Sequence, residues 1–142
     1  MALWLQLLAA TFLIILVTLI HGTGVVITTK LFKAEDRTLK GRRLAFREFH
    51  LMVPMALCLI GLHAIEIFVF ALFYMAVGEV RPASEALYIS ASAYTTMGLA
   101  EGALVHWKIV GVFEGLAGFL LIGWSAAVFV TDMEKILREW KP

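Results

Sequence analysis

The stretch Tyr94-Thr95-Thr96-Met97-Gly98-Leu99-Ala100-Glu101 lies in a short polar break between two strongly apolar segments of a 142-residue chain. A break at membrane depth persists only where its backbone groups meet protein or line a water-filled path, because hydrocarbon offers them no hydrogen bonds. What flanks this stretch therefore decides the fold.

Apolar residues make up 61% of the chain, too many for a soluble domain of this length, and formal charges avoid three long windows. Three windows imply three membrane spans. The first runs from about Ala2 to Thr28 without a charge, long enough at 1.5 Å per residue to reach roughly 40 Å and to cross with tilt. Its start lacks a basic region and the apolar run is too long for a signal-peptide core, so residues 1–29 are expected to stay as an additional N-terminal helix. His21, its one titratable group, reads as a neutral ring near the inner interface, reaching headgroups from a helix end. The second window covers about Leu51 to Val77, with Pro54 near its start, and the third about Ile109 to Val130. A lone Cys58 excludes an intrachain disulfide and reads as a small buried apolar residue.

Residues 30–50 carry Lys30, Lys33, Arg37, Lys40, Arg42, Arg43 and Arg47 against Glu35, Asp36 and Glu48. The excess of bases predicts a cytoplasmic linker, an outside N-terminus and a cytoplasmic C-terminus. Leu39, Leu44, Phe46 and Phe49 interleave with the bases, which would let part of the linker lie on anionic lipid at about 1 kcal/mol per base. A plain topology determinant is the simpler role. Trp4, Tyr74 and Trp107 are expected at the outer interface and Trp140 at the inner one. Residues 132–142 read as a short charged tail with Glu134 and Arg138 at i, i+4, too short for a ligand-binding domain. There is no phosphate loop, nucleophile motif or nucleic-acid signature, so neither enzyme activity nor a nucleic-acid partner is expected.

Ionisable residues within spans are functional candidates. His63 and Glu66 lie one turn apart on one face of the second span. A proton relay or metal site there would need further ligands, with Glu114 the one at hand. The plainer role is a buried polar cluster tying this helix to its neighbours and supporting the loop. Glu114, about seven residues into the third span, would pair with a donor behind the loop or sit protonated.

With Ser84 and Glu85 as a helix start and Thr95-Thr96-Met97-Gly98-Leu99-Ala100-Glu101 after the helix, the region resembles the selectivity filter of the tetrameric potassium-channel family, T-T-V-G-Y-G-D. Thr95, Thr96 and Gly98 match, Met97 stands for Val and Glu101 for Asp, while Leu99 and Ala100 replace Tyr and the second Gly. Ala86-Leu87-Tyr88-Ile89-Ser90 and Gly123-Trp124-Ser125-Ala126-Ala127 also resemble the pore and inner helices of small bacterial members. The likeness covers about Leu51 to Val130. It implies an all-α membrane protein with three transmembrane helices plus a re-entrant pore helix and filter loop, assembled as a homotetramer with three further copies of itself. Within the pore module, 51–131, it implies an outer helix at 51–77, a pore helix at 84–95, a filter at 96–101 and an inner helix at 108–131.

By the same resemblance, Thr95 to Ala100 hold permeant monovalent cations, potassium first, with no other cofactor. Glu101 forms an acidic ring at the outer mouth, Gly118 or Gly123 is a gating hinge, and the location is a prokaryotic inner membrane. The negative end of the pore helix favours a cation. A left-handed Ala100 would cost about 1–2 kcal/mol, roughly 4–8 kcal/mol in a tetramer. The outer filter is therefore expected to take another shape and to pass potassium and sodium with weak selectivity. Strict potassium selectivity, a non-conducting membrane scaffold, and an enzyme or metal carrier in which His63, Glu66 and Glu114 converge within roughly 6 Å are the alternatives.

Overall fold

Long uncharged runs can satisfy their backbone in hydrocarbon within a single segment only as helices, and the described secondary structure is helical throughout. The computed structural model describes residues 1–39 and 47–138, and the side chains of 1–38 and 49–135. Four helices follow in order: α1, Leu3–Leu39; α2, Arg47–Ala76; α3, Ala83–Tyr94; and α4, Lys108–Arg138. α1, α2 and α4 are long and apolar enough to cross a membrane. The 12 residues of α3 reach about 18 Å, well short of a bilayer's hydrocarbon.

α2 and α4 touch each other at the centre, α1 packs on both from one side and α3 on both from the other, and among the described residues α1 does not contact α3. One apolar cluster joins Leu13 and Val17 of α1 to Phe70, Tyr74, Ile89, Trp107 and Val110. A second, toward the opposite end, joins Val25 and Phe32 to Leu51, Met55, Leu59 and Met133.

The helix ends differ from expectation in an orderly way. α1 continues through Lys30 and Lys33 to Leu39, and α4 continues through the expected tail to Arg138. Charges mark where hydrocarbon ends, but Lys, Leu, Ala, Glu and Arg are good helix formers and give the backbone no reason to stop. α2 begins at Arg47, so Pro54 falls inside it. Lys40, Arg42, Arg43, Leu44, Phe46 and Trp140 lie outside the described residues, as do the side chains of Arg47 and Arg138, and with them most of the expected lipid-facing linker. α3 starts one residue before Ser84: the Pro82 carbonyl caps it, accepting from the amides of Glu85 and Ala86 at 3.1 Å each, and no side chain caps it.

Two of the aromatics expected at the outer interface are interior. Tyr74 is fully buried and donates its hydroxyl to Glu114 at 2.7 Å. Trp107 is buried edge-on to Phe73, ring centroids 4.9 Å apart. Trp4 is exposed. Cys58, expected inside, is exposed on α2.

Glu79, just after α2, clips the two loops together. Its carboxylate accepts from the backbone amides of Val105 and His106, the latter at 2.7 Å, and lies 3.0 Å from His106 Nδ1. Burial pushes this carboxyl up, but the His106 amide and ring and the Val105 amide outweigh it and hold the group below its ordinary 4.5. An acid lowered in the folded state stabilises it above the unfolded value and loses that contribution as pH falls through the folded one. The clip should therefore weaken below pH 4.5. Thermal unfolding of the detergent-solubilised protein, followed from neutral into acid pH, should show a midpoint falling more steeply for the native chain than for Glu79→Gln. Superimposable acid limbs would rule the clip out as a source of stability.

Candidate functional site

The loop after α3 begins as a helix C-cap. Thr96 N–H donates to the Ala93 carbonyl and Met97 N–H to the Ser92 carbonyl, both at 3.0 Å, and Thr96 has φ +58°. This is the paired 5→2 and 6→1 pattern that ends helices on a left-handed residue. Glycine usually takes that position. Threonine is strained there, by about 1–2 kcal/mol, and it is the one non-glycine residue with positive φ among those described. Ala100 does not adopt that region. The turns fall instead on Gly98 (φ +94°) and Gly102 (φ +80°), with Ala103 N–H bonded to the Ala100 carbonyl at 3.1 Å.

Thr95, Thr96, Met97, Gly98, Ala100 and Glu101 are exposed and Leu99 is half-buried. Met97 presents 79% of its surface. Thr95 donates its hydroxyl back to the Ala91 carbonyl at 2.7 Å. Thr95 and Thr96 border, with Phe119, Leu120, Ile122 and Gly123, an open hollow of about 490 Å³.

α4 holds the loop through small residues. A Cβ on Gly115 would lie 3.1 Å from the Ala93 carbonyl oxygen, and one on Gly118 only 2.1 Å from that of Tyr94. Gly118 thus has a packing reason to be glycine, whereas a Cβ on Gly123 would meet nothing within 4 Å.

Behind the loop lie two buried polar clusters. In the first, Glu114 accepts from Tyr74 of α2 at 2.7 Å and from Ser90 of α3 at 2.5 Å, and Ser90 Oγ is also 2.7 Å from the Ile67 carbonyl. In the second, Glu66 is the hub. His21 Nδ1 is 2.8 Å from Oε1, His63 Nδ1 is 3.1 Å from Oε2, and the Tyr94 hydroxyl donates to Oε2. His63 Nδ1 also lies 2.9 Å from the Tyr94 hydroxyl. Both rings meet the network when Nδ1 carries the proton, a tautomer assigned from their partners. His21 Nε2 then faces Ser125 Oγ at 3.5 Å.

No family model, curated protein or solved structure matches the chain. The site therefore stands on its own geometry.

That geometry brings His63 and Glu66 together and joins to them His21, which sequence reasoning assigned to a headgroup region. His21 is fully buried midway along α1, its ring 5.4 Å from that of His63 and 5.1 Å from that of Trp124. Glu114 belongs to the other cluster: among the described residues, the group whose ligand atoms all lie within 4.8 Å of one another is His21, His63 and Glu66. A signal for His21 was present in its depth, since an ionisable residue about eighteen positions into an uncharged run is costly in hydrocarbon without a partner.

Proposed function

We propose that four copies of this chain form a cation channel of the potassium-channel kind, in which α3 is re-entrant and Thr95 to Ala100 are the filter. The observation that carries this reading is where α3 stops. Its last residue, Tyr94, reaches Glu66, well before the end of α2 at Ala76, and packs on Gly118, well after the start of α4 at Lys108. Ten residues of α-helix rise about 15 Å, roughly half of a bilayer's hydrocarbon, so a helix too short to cross that ends beside these two residues supports a loop lying within the membrane. Such a loop needs water or protein around it, and three more copies would supply both.

Four Thr96 left-handed caps, each followed by a glycine with positive φ two residues on, would turn successive carbonyls toward a shared axis, as filters of backbone carbonyls require. Gly102 rather than Ala100 makes the outer turn, so the outer sites differ from those of the T-V-G-Y-G pattern. Fewer matched sites discriminate less, and both potassium and sodium should pass. Four exposed Glu101 carboxylates would concentrate cations at the mouth. Gly123, unhindered in α4, is the freer candidate for a hinge than the packed Gly118.

Cation flux into liposomes holding the purified protein, under potassium and then sodium gradients, tests this. The expected result is flux of both ions, with Leu99→Tyr, Ala100→Gly shifting preference toward potassium. A folded tetramer passing neither ion, native or variant, would overturn conduction and favour the scaffold reading.

A further inference from the structure

His21, His63 and Glu66 are more than a structural tie. Each presents one ligand atom, and these atoms lie within 4.8 Å of one another. Two imidazoles and a carboxylate are a donor set suited to Zn2+ and its neighbours in the transition series, with a fourth position left for water or another oxygen. The Tyr94 hydroxyl, 2.9 Å from His63 Nδ1 and hydrogen-bonded to Glu66, lies beside two of the three donors. His63 and Glu66, at i and i+3 on α2, use a spacing by which helices present paired ligands to a bundle interior, and His21 comes from a separate helix.

The distances also fit. Ligand atoms around a tetrahedral ion with bonds near 2.0–2.1 Å are about 3.3 Å apart. His21 Nδ1 is 2.8 Å from Oε1 of Glu66 and His63 Nδ1 is 3.1 Å from Oε2. With both carboxylate oxygens engaged, each ring needs to move out by only a few tenths of an ångström; with a single oxygen, the three atoms would draw together from within 4.8 Å. Without metal, Nδ1 protons fill the space between rings and carboxylate. A cation would take their place if each ring moved its proton to Nε2, and for His21 that proton would find Ser125 Oγ as acceptor. Nothing is oxidised or reduced. His21 and Glu66 are sealed while the His63 side chain keeps 16% of its surface accessible, which gives an entry edge.

We propose that His21, His63 and Glu66 form a transition-metal site, selective for Zn2+ over hard cations, that cross-links α1 to α2 beside the tyrosine opening the loop. The site does not depend on conduction.

Co2+ titration of the full-length, chelator-stripped protein in detergent is the test, read by the visible absorption of four-coordinate Co2+ and its bleaching by Zn2+. The native chain should take up a single ion per protomer, and Zn2+ should raise its thermal midpoint. Glu66→Gln and His63→Gln should each weaken Co2+ binding at least tenfold, while His106→Asn, which removes an exposed ring beside Glu79, should leave it unchanged. Size-exclusion profiles identify any variant that fails to fold, and the native titration then decides alone. No saturable Co2+ band in the native chain overturns the proposal. So does a band that survives in both ligand variants, or one lost with His106.

Discussion

Gly118→Ala should cost more stability than the same change at Gly115 or Gly123 of α4. The new Cβ would lie 2.1 Å from the Tyr94 carbonyl oxygen, 2.8 Å from its carbon and 2.9 Å from Cγ of the ring. These are backbone and ring-root atoms, unable to rotate away. Tyr94 is held at both ends, by its hydroxyl on Glu66 and by the hydrogen-bonded cap that follows it. Overpacking ordinarily costs about 1–3 kcal/mol and sometimes more, and a displaced helix end puts this site at or above the upper figure. Gly115→Ala, whose Cβ would sit 3.1 Å from a carbonyl oxygen, should cost less. Gly123→Ala meets no atom and should be neutral or gain up to about 1 kcal/mol of helix propensity. Unfolding midpoints of the three solubilised variants give the order directly. A Gly118→Ala protein as stable as the native one would mean that α3 does not end against α4 as described.

The second large effect is expected from Glu66→Ala. Its removal strands the His21 and His63 Nδ1 protons and the Tyr94 hydroxyl around an empty volume. Interhelical hydrogen bonds in membranes average about 0.6 kcal/mol and reach about 1.7, so three donors losing one acceptor should cost about 2–5 kcal/mol in metal-free buffer. The diagnostic is coupling. Once Glu66 is gone, His21→Ala should cost less than it does in the native chain, because the shared hydrogen bond is already lost and only the packing of the ring remains, whereas independent sites would add. A double variant whose loss equals the sum of the singles would show that His21 and Glu66 do not interact.

Much of the fold was legible because hydrocarbon is an unforgiving solvent. Windows with at most one formal charge announced the three long helices, and the polar interruption between Val77 and Ile109 announced a short fourth. The boundaries were less legible: positive charge reports where lipid ends, and α1 and α4 simply continue as helices past it. The site divided along similar lines. His63 and Glu66 could be paired from their spacing on one helix, but the partner of His21 lies 45 residues away, and no periodicity within α1 encodes that. Glu79 escaped for the same reason, its partners being 26 and 27 residues on. Thr96 resisted because the residue expected at a left-handed helix end is glycine, and Gly98 two positions later drew the turn to itself.

The order in which partners occur along the chain also bears on biogenesis. Glu114 is bonded to Tyr74 and Ser90, both synthesised before it, and Glu66 to His21, His63 and, later, Tyr94. A carboxylate at the centre of a lone span costs a few kcal/mol to insert. Each acid here leaves the ribosome after a polar group able to receive it. If the helices insert in chain order, the first would already offer the His21 imidazole when the second brings in Glu66, and so would lower the cost of its insertion.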